Sequence, residues 1–457
     1  MIGVRGIPFR WSTGVSLAAG LAFAVALALG PASTTSGAAQ RRDVFVLSRD
    51  HPAIAYSSGP LENAVTRLIA RLQDGSARLR FDPANGYLMS VLEALDVPVA
   101  SQMLVFSPTS MQAPRINMHN PRAVYFGETV AVGWVRGGDL LEIAVQDRRQ
   151  GAVFYAVPQT PAEVPTIARN NQCLACHLSW DTLGVPGLMT TSMFPLPDDP
   201  NAYASGFPTV QGSPLAQRWG GWWVTGNHGG GSHMGNVPVL GVDRGRAIPN
   251  PTRPLASVTG LFDLTGYPAP HSDVVALLVL AHQTHMTNLL TRAGWEARVA
   301  AESPSADASA RVVDAAHAAV DYMLFADEAT FAGPVQGGSG FAEWFAARGP
   351  KDGQGRSLRQ LDLRGRLFRY PLSYMIYGET FDALPPVAKD AVYARLWAIL
   401  SGRERGRPYA HLSAADRLAI VQILRETKPG VPDYFASPMS VPAPAAPSPR
   451  PARRRPV

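Results

Sequence analysis

The sequence predicts an α+β fold: an antiparallel, β-rich N-terminal part, a loop-rich middle, and a mainly helical C-terminal part. Three observations carry this. Between Ser101 and Pro158, apolar residues alternate or run in short pieces broken by Gly127-Glu128, Gly137-Gly138-Asp139 and Gln150-Gly151, the pattern of hairpin-connected strands. From Pro158 to Pro270, Gly and Pro are dense and no regular period survives. Beyond His271 the apolar spacing becomes helical. The chain divides into 1–39, 40–158, 159–270, 271–430 and a tail over 436–457.

Residues 1–39 read as a secretory signal peptide. Arg5 and Arg10 form the positive start, Val15 to Leu29 is an apolar run interrupted only by Ser16 and Gly20, and Ser36-Gly37-Ala38-Ala39 suits signal peptidase. The competing reading is a retained anchor, but a spanning helix needs ~20 apolar residues. The expected location is therefore periplasmic or otherwise exported.

Helices come next. "LENAVTRLIARLQDG" places Leu61, Val65, Leu68, Ile69 and Leu72 on one stripe, and "GYLMSVLEALDVP" reads as a second, shorter helix. The strands follow in "SQMLVFSP", "RAVYFGETVAVGWV", "DLLEIAVQD" and "GAVFYAVPQ". "HSDVVALLVLAHQTHMTNLLTRAGWEARVA" is one long helix, capped near Ser272 and apolar nearly all round between Val274 and Ala281, hence buried. Two more lie in "PPVAKDAVYARLWAILSG" and "SAADRLAIVQILRETKPG", the latter with a capping pair, Ser413 and Asp416. The tail "PMSVPAPAAPSPRPARRRPV" is too rich in Pro and Ala to pack.

The net charge of +6 resides at the ends. Setting aside Arg5, Arg10 and the tail arginines 450, 453, 454 and 455 leaves a neutral body. No basic stripe for nucleic acid is present. Membrane contact is expected only through an uncleaved signal or the basic tail. There is no phosphate-binding Gly loop after a strand, no Gly-x-Ser-x-Gly elbow and no His-Glu-x-x-His pair, so nucleotide and hydrolase readings have no support.

The chain's only 2 cysteines lie in "RNNQCLACHLSW", as Cys173-Leu174-Ala175-Cys176-His177. Two thiols at this spacing on a helical turn reach the two vinyl groups on one porphyrin edge, and the next residue brings an imidazole to the iron. His177 would bind through one ring nitrogen and donate from the other, to a carbonyl of the "LGVPG" loop around Pro186. Three alternatives compete: a Cys2His2 zinc site completed by His228 or His233, a thioredoxin-like dithiol, and a chance match.

Through "CLACH" the chain resembles the c-type cytochromes, and "LSAADRLAIVQILRETK" is loosely similar to the helix that closes their small domains. Otherwise it looks like exported cytochrome c domain-containing proteins of similar length. The resemblance implies one covalently attached haem c, with Cys173 and Cys176 as the thioether residues and His177 as the iron ligand. It departs in size, since more than two hundred residues separate the motif from that last helix. "HMGNVPVL" is faintly similar to a loop near the haem in di-haem peroxidases and rubber oxygenases, but there is one attachment motif.

The sixth iron ligand is open in the sequence. The candidates are Met189 and Met193; His228, His233 and Met234 in "TGNHGGGSHMGNVPVL"; His282, His285 and Met286 in "AHQTHMTN"; Met375; or none. Any one of these is also an ordinary core residue type. Trp219, Trp222 and Trp223 would line a porphyrin or pack beside the glycines. The implied function is single-electron transfer with a redox partner protein or a small donor or acceptor. The alternatives are a haem oxidoreductase of oxygenase or peroxidase type, or a gas sensor.

Overall fold

In a computed structural model, residues 49–193, 206–236 and 254–439 are described. The signal-peptide segment and the tail beyond residue 439 lie outside them. Helix α1 (Ala64–Gln73) starts at a capping box: Asn63 accepts from Val65 N and Thr66 N, and Thr66 Oγ1 accepts from Asn63 N. It is followed by α2 (Leu88–Ala94). Val65, Leu68, Leu72, Leu88, Val91 and Leu92 are buried; the stripe read from the sequence is the face that packs.

Strands β1 (Met103–Val105), β2 (Arg122–Phe126), β3 (Val130–Trp134), β4 (Leu140–Asp147) and β5 (Gly151–Pro158) are those the alternation predicted. Two short strands from the loop-rich middle extend them: β6 (Ala168–Arg169) and, after the helical turn α3 (Leu174–His177) and a small β7–β8 pair (Thr191–Ser192, Phe207–Pro208), β9 (Trp222–Trp223). The seven-stranded antiparallel sheet has the order β6-β5-β4-β3-β2-β1-β9. Two-residue strands carry no readable period, which is why the sequence concealed them. Trp222 and Trp223 are thus edge-strand residues facing Val105 and Leu104.

The two faces of the sheet differ. Tyr125, Val132, Ile143, Val145, Val153, Tyr155 and Val157 pack on α1 and α2. On the other face, register lines up Phe126, Ala131, Ala144 and Phe154 in one row, and Val124, Gly133, Glu142 and Ala156 in the next. The two phenylalanines are three strand spacings apart, roughly 14 Å, with only alanines between them.

After β10 (Asn227–His228), helix α4 (Val274–Glu302) covers part of this second face. Among the described residues it alone is long and apolar enough to cross a membrane, and it is buried in the core. Its cap is Asp273 rather than Ser272: Asp273 Oδ1 accepts from Val275 N and Ala276 N. Ser272 is occupied elsewhere, its hydroxyl donating to Trp223 O and accepting from Leu104 N.

Helix α5 (Ala306–Met323), capped by Ser305, packs beside α4. The strand β11 (Val335–Gln336) pairs with β10. The helices α6 (Phe341–Ala347), α7 (Glu379–Asp382), α8 (Pro386–Leu400) and α9 (Ala414–Thr427) complete the helical half. Helix α5 was absent from the sequence reading because alanines supply its buried face. At α9, Ser413 Oγ accepts from Asp416 N at 3.0 Å and donates to Asp416 Oδ2 at 2.8 Å.

Candidate functional site: the Cys173–His177 turn

Strand β6 delivers the chain to the second sheet face. Asn170 N donates to Phe154 O at 2.8 Å. Its side chain then has two partners: Oδ1 accepts from Gln172 N at 3.0 Å, capping the turn, and Nδ2 donates to Met111 Sδ at 3.2 Å. A 3-10 turn over Asn171–Cys173 continues directly into α3. Cys173, Cys176 and His177 therefore stand on one continuous helical turn. Leu174 is buried against the sheet, anchoring the turn, while Cys173 is half-buried and Cys176 exposed. Both thiols are free. Burial, with Glu142 nearby, pushes the Cys173 thiol up to about 11.

His177 Nδ1 lies 2.9 Å from Gly187 O, and Gly187 N donates back to His177 O at 3.0 Å. A carbonyl oxygen only accepts, so the proton sits on Nδ1 and the Nε2 lone pair is left for a Lewis acid. Gly187 is the last residue of "LGVPG", the loop from which the sequence reading drew this partner. The imidazole packs on Phe154, ring centroids 4.9 Å apart. Burial pushes it down to about 4, the Gly187 carbonyl acts in the opposite direction, and Arg122 adds to the depression. Arg122 pairs with Glu142 at 2.8 Å and lies across Gly133, where a Cβ would stand 2.4 Å from its guanidinium.

Apart from Met189, two residues beyond Gly187, the sixth-ligand candidates do not gather around this turn. Thr225 bridges to Asp273 and His228 pairs with Val335, which puts the Gly-rich loop at the start of α4. The His177 loop is held at Asn288, fifteen residues further along α4, roughly 22 Å by helical rise. His228 and His233 contact each other there, with ring centroids 4.7 Å apart, and His233 also packs on Trp219. Met193 N bonds Gly220 O and Met234 N bonds Arg218 O, both near the same loop.

His282 is fully engaged. Nδ1 bonds Gln211 Oε1 at 2.8 Å and Nε2 bonds Ser373 Oγ at 2.7 Å. His285 packs on Tyr322 of α5, while Met286 and Met375 lie in the helical core. Met189 is half-buried and directly follows Leu188. Leu280, Thr284 and Thr287 of α4 face Phe126, Ala131 and Leu188 across a narrow cleft, and no His or Met lines it. Zinc has no further ligands at the turn: among the described residues no cluster of three or more His, Cys, Asp or Glu is arranged to hold a metal ion.

No protein-family model, no curated protein and no solved structure matches this chain. The site therefore stands on its own geometry. Sequence reasoning missed four contributors to it: Phe154, Arg122, Met111 and Asn288. None of the four carried a local signal in the sequence: Asn288 is one of several polar residues on its helix.

Proposed function

We propose that this chain is a mono-haem c-type redox protein. Cys173 and Cys176 would hold the porphyrin, each thiol adding across a vinyl group so that an S–C bond replaces the C=C π bond and the thiol hydrogen ends on the terminal vinyl carbon, with no net oxidation. His177 would bind iron through Nε2. The observation that carries this reading is the His177 Nδ1–Gly187 carbonyl contact, which fixes the one tautomer able to ligate from Nε2. The residues fit the group in other respects. One cysteine is exposed and the other half-buried on the same turn, and the adjacent sheet face carries Ala131, Ala144 and Ala156, side chains small enough for a flat ring to lie near.

Iron porphyrin supplies one-electron chemistry. Phe154 and the sheet limit water around His177, and Arg122 places a positive charge beside it. The exchange partner is a redox protein or a small donor or acceptor.

A second reading is favoured by one observation. His228 and His233 lie at the other end of α4 and both ring nitrogens of His282 are bonded, which suits an exchangeable sixth position and hence a haem oxidoreductase or gas sensor. Exported full-length chain, purified and treated with acidified acetone, tests the common premise: the pigment should stay with the polypeptide. Carbon monoxide then separates the readings. An unchanged low-spin spectrum supports electron transfer, a shifted high-spin one supports ligand binding, and colourless protein overturns both.

A further inference from the structure

Resting on the haem reading, we propose that Asn288 of α4 is a positioning residue for the iron ligand His177. Asn288 is fully buried on a helix whose other inward residues are mostly apolar, and a buried amide is retained only where it is bonded. Both of its polar atoms address a single residue. Oδ1 accepts from Leu188 N at 3.3 Å, and Nδ2 donates to Leu188 O at 2.8 Å.

Leu188 adjoins Gly187, whose carbonyl holds His177 Nδ1. Gly187 itself is shaped to the amide: a Cβ there would stand 2.1 Å from Asn288 Oδ1. The far side of the loop is tied to the sheet, because Ala152 N donates to Pro186 O at 2.9 Å. Besides the Gly187 N–His177 O bond within the site, the loop is held from outside by one backbone bond on β5 and one side chain on α4. Asn288 is the side chain in that pair, so the aim of the Gly187 carbonyl depends on it.

The consequence is electronic. A hydrogen bond from Nδ1 to a well-aimed carbonyl makes the imidazole a stronger donor from Nε2, which favours the oxidised metal. Loosening that carbonyl weakens the donor and raises the reduction potential.

The test compares Asn288→Leu, Asn288→Asp and Leu289→Ala in the full chain carrying its haem. Leu289 is in the helical core and lies about a quarter-turn or more from the contact with Leu188, so its truncation reports loss of packing alone. The expected result is an upward shift of the potential in Asn288→Leu, which loses both bonds, with a smaller one in Asn288→Asp, which keeps an acceptor for Leu188 N. The larger shift should reach about tenfold in the ratio of reduced to oxidised protein at fixed poise, about 59 mV for one electron, with Leu289→Ala unmoved. Equal shifts in all three, or none in the Asn288 pair, would overturn the proposal.

A second readout does not need iron. In chain prevented from attaching haem by Cys173→Ser and Cys176→Ser, the imidazole nitrogen shifts of His177 should report the Nδ1–H tautomer. Asn288→Leu should turn this into a mixture. If wild-type chain takes no haem yet this change occurs, the functional reading fails while the clamp stands. An unchanged tautomer overturns the clamp itself.

Discussion

Gly187 and Asn288 occupy each other's space: the position of a Cβ on Gly187 is 2.1 Å from Asn288 Oδ1. This glycine is not needed for a left-handed backbone; it is needed because an amide fills the volume. Gly187→Ala should therefore displace the loop rather than merely stiffen it, costing roughly 1–3 kcal/mol as overpacking does. A urea midpoint unchanged from wild type would show that the loop yields freely and that the amide does not fix it.

The two cysteines should respond differently to removal. Cys176 is exposed, so Cys176→Ser should leave unfolding within about 0.5 kcal/mol of wild type. On the proposed haem reading, the pigment should then be held by one bond, with a pyridine haemochrome band shifted from the two-thioether position. Cys173 is half-buried among apolar neighbours, so Cys173→Ser should lower stability as well as attachment. Identical stability losses in the two variants would contradict the difference in burial.

Much of this architecture was legible from the chain alone. Strands β1 to β5 were legible as short alternating or apolar runs between turn residues: β4 alternates in burial along its whole length, while β1 and most of β5 are buried residue after residue. The Cys173–His177 turn was legible because its two cysteines and histidine stand at a fixed, short spacing. What stayed hidden was tertiary. Strands β6 and β9 are two residues each and exist only by pairing with a formed sheet. The Ser272–Asp273 choice depended on Trp223 O and Leu104 N already engaging the serine. Asn288 and Gly187 are a hundred residues apart, and nothing local links them.

His282 shows why a histidine on a buried helix is not thereby a ligand. Gln211 Oε1 can only accept, so Nδ1 carries the proton and Nε2 accepts from Ser373. Neither nitrogen is available to iron. His282→Leu should leave any haem spectrum unchanged while costing roughly 2–4 kcal/mol through two stranded partners. Burial pushes this imidazole down to about 3. The folded state therefore resists the proton that the unfolded chain takes near pH 6.5, and stability should erode as pH falls below that value toward 3. A spectrum that changes spin state in this variant would return His282 to the list of ligands.

Glu328 should give the opposite pH dependence. Its carboxyl is pushed up to about 7, mainly by burial, against the pull of Leu367 N, which donates to Oε1 at 2.9 Å, and of Arg218 and Arg366; Asp362 adds to the rise. Below about pH 4.5 both states are protonated, and the group contributes nothing to the slope. Between about 4.5 and 7 the unfolded chain ionises while the folded one does not, so stability should fall as pH rises through this window and then level off. The total is on the order of 2–3 kcal/mol, allowing for the carboxyl's partial exposure. Glu328→Gln keeps an oxygen to accept from Leu367 N and cannot ionise. Urea midpoints at pH 5 and pH 8 should therefore differ less for this variant than for wild type, the variant being the more stable at pH 8. Parallel pH profiles for the two proteins would mean that Glu328 titrates in the fold as it does in water.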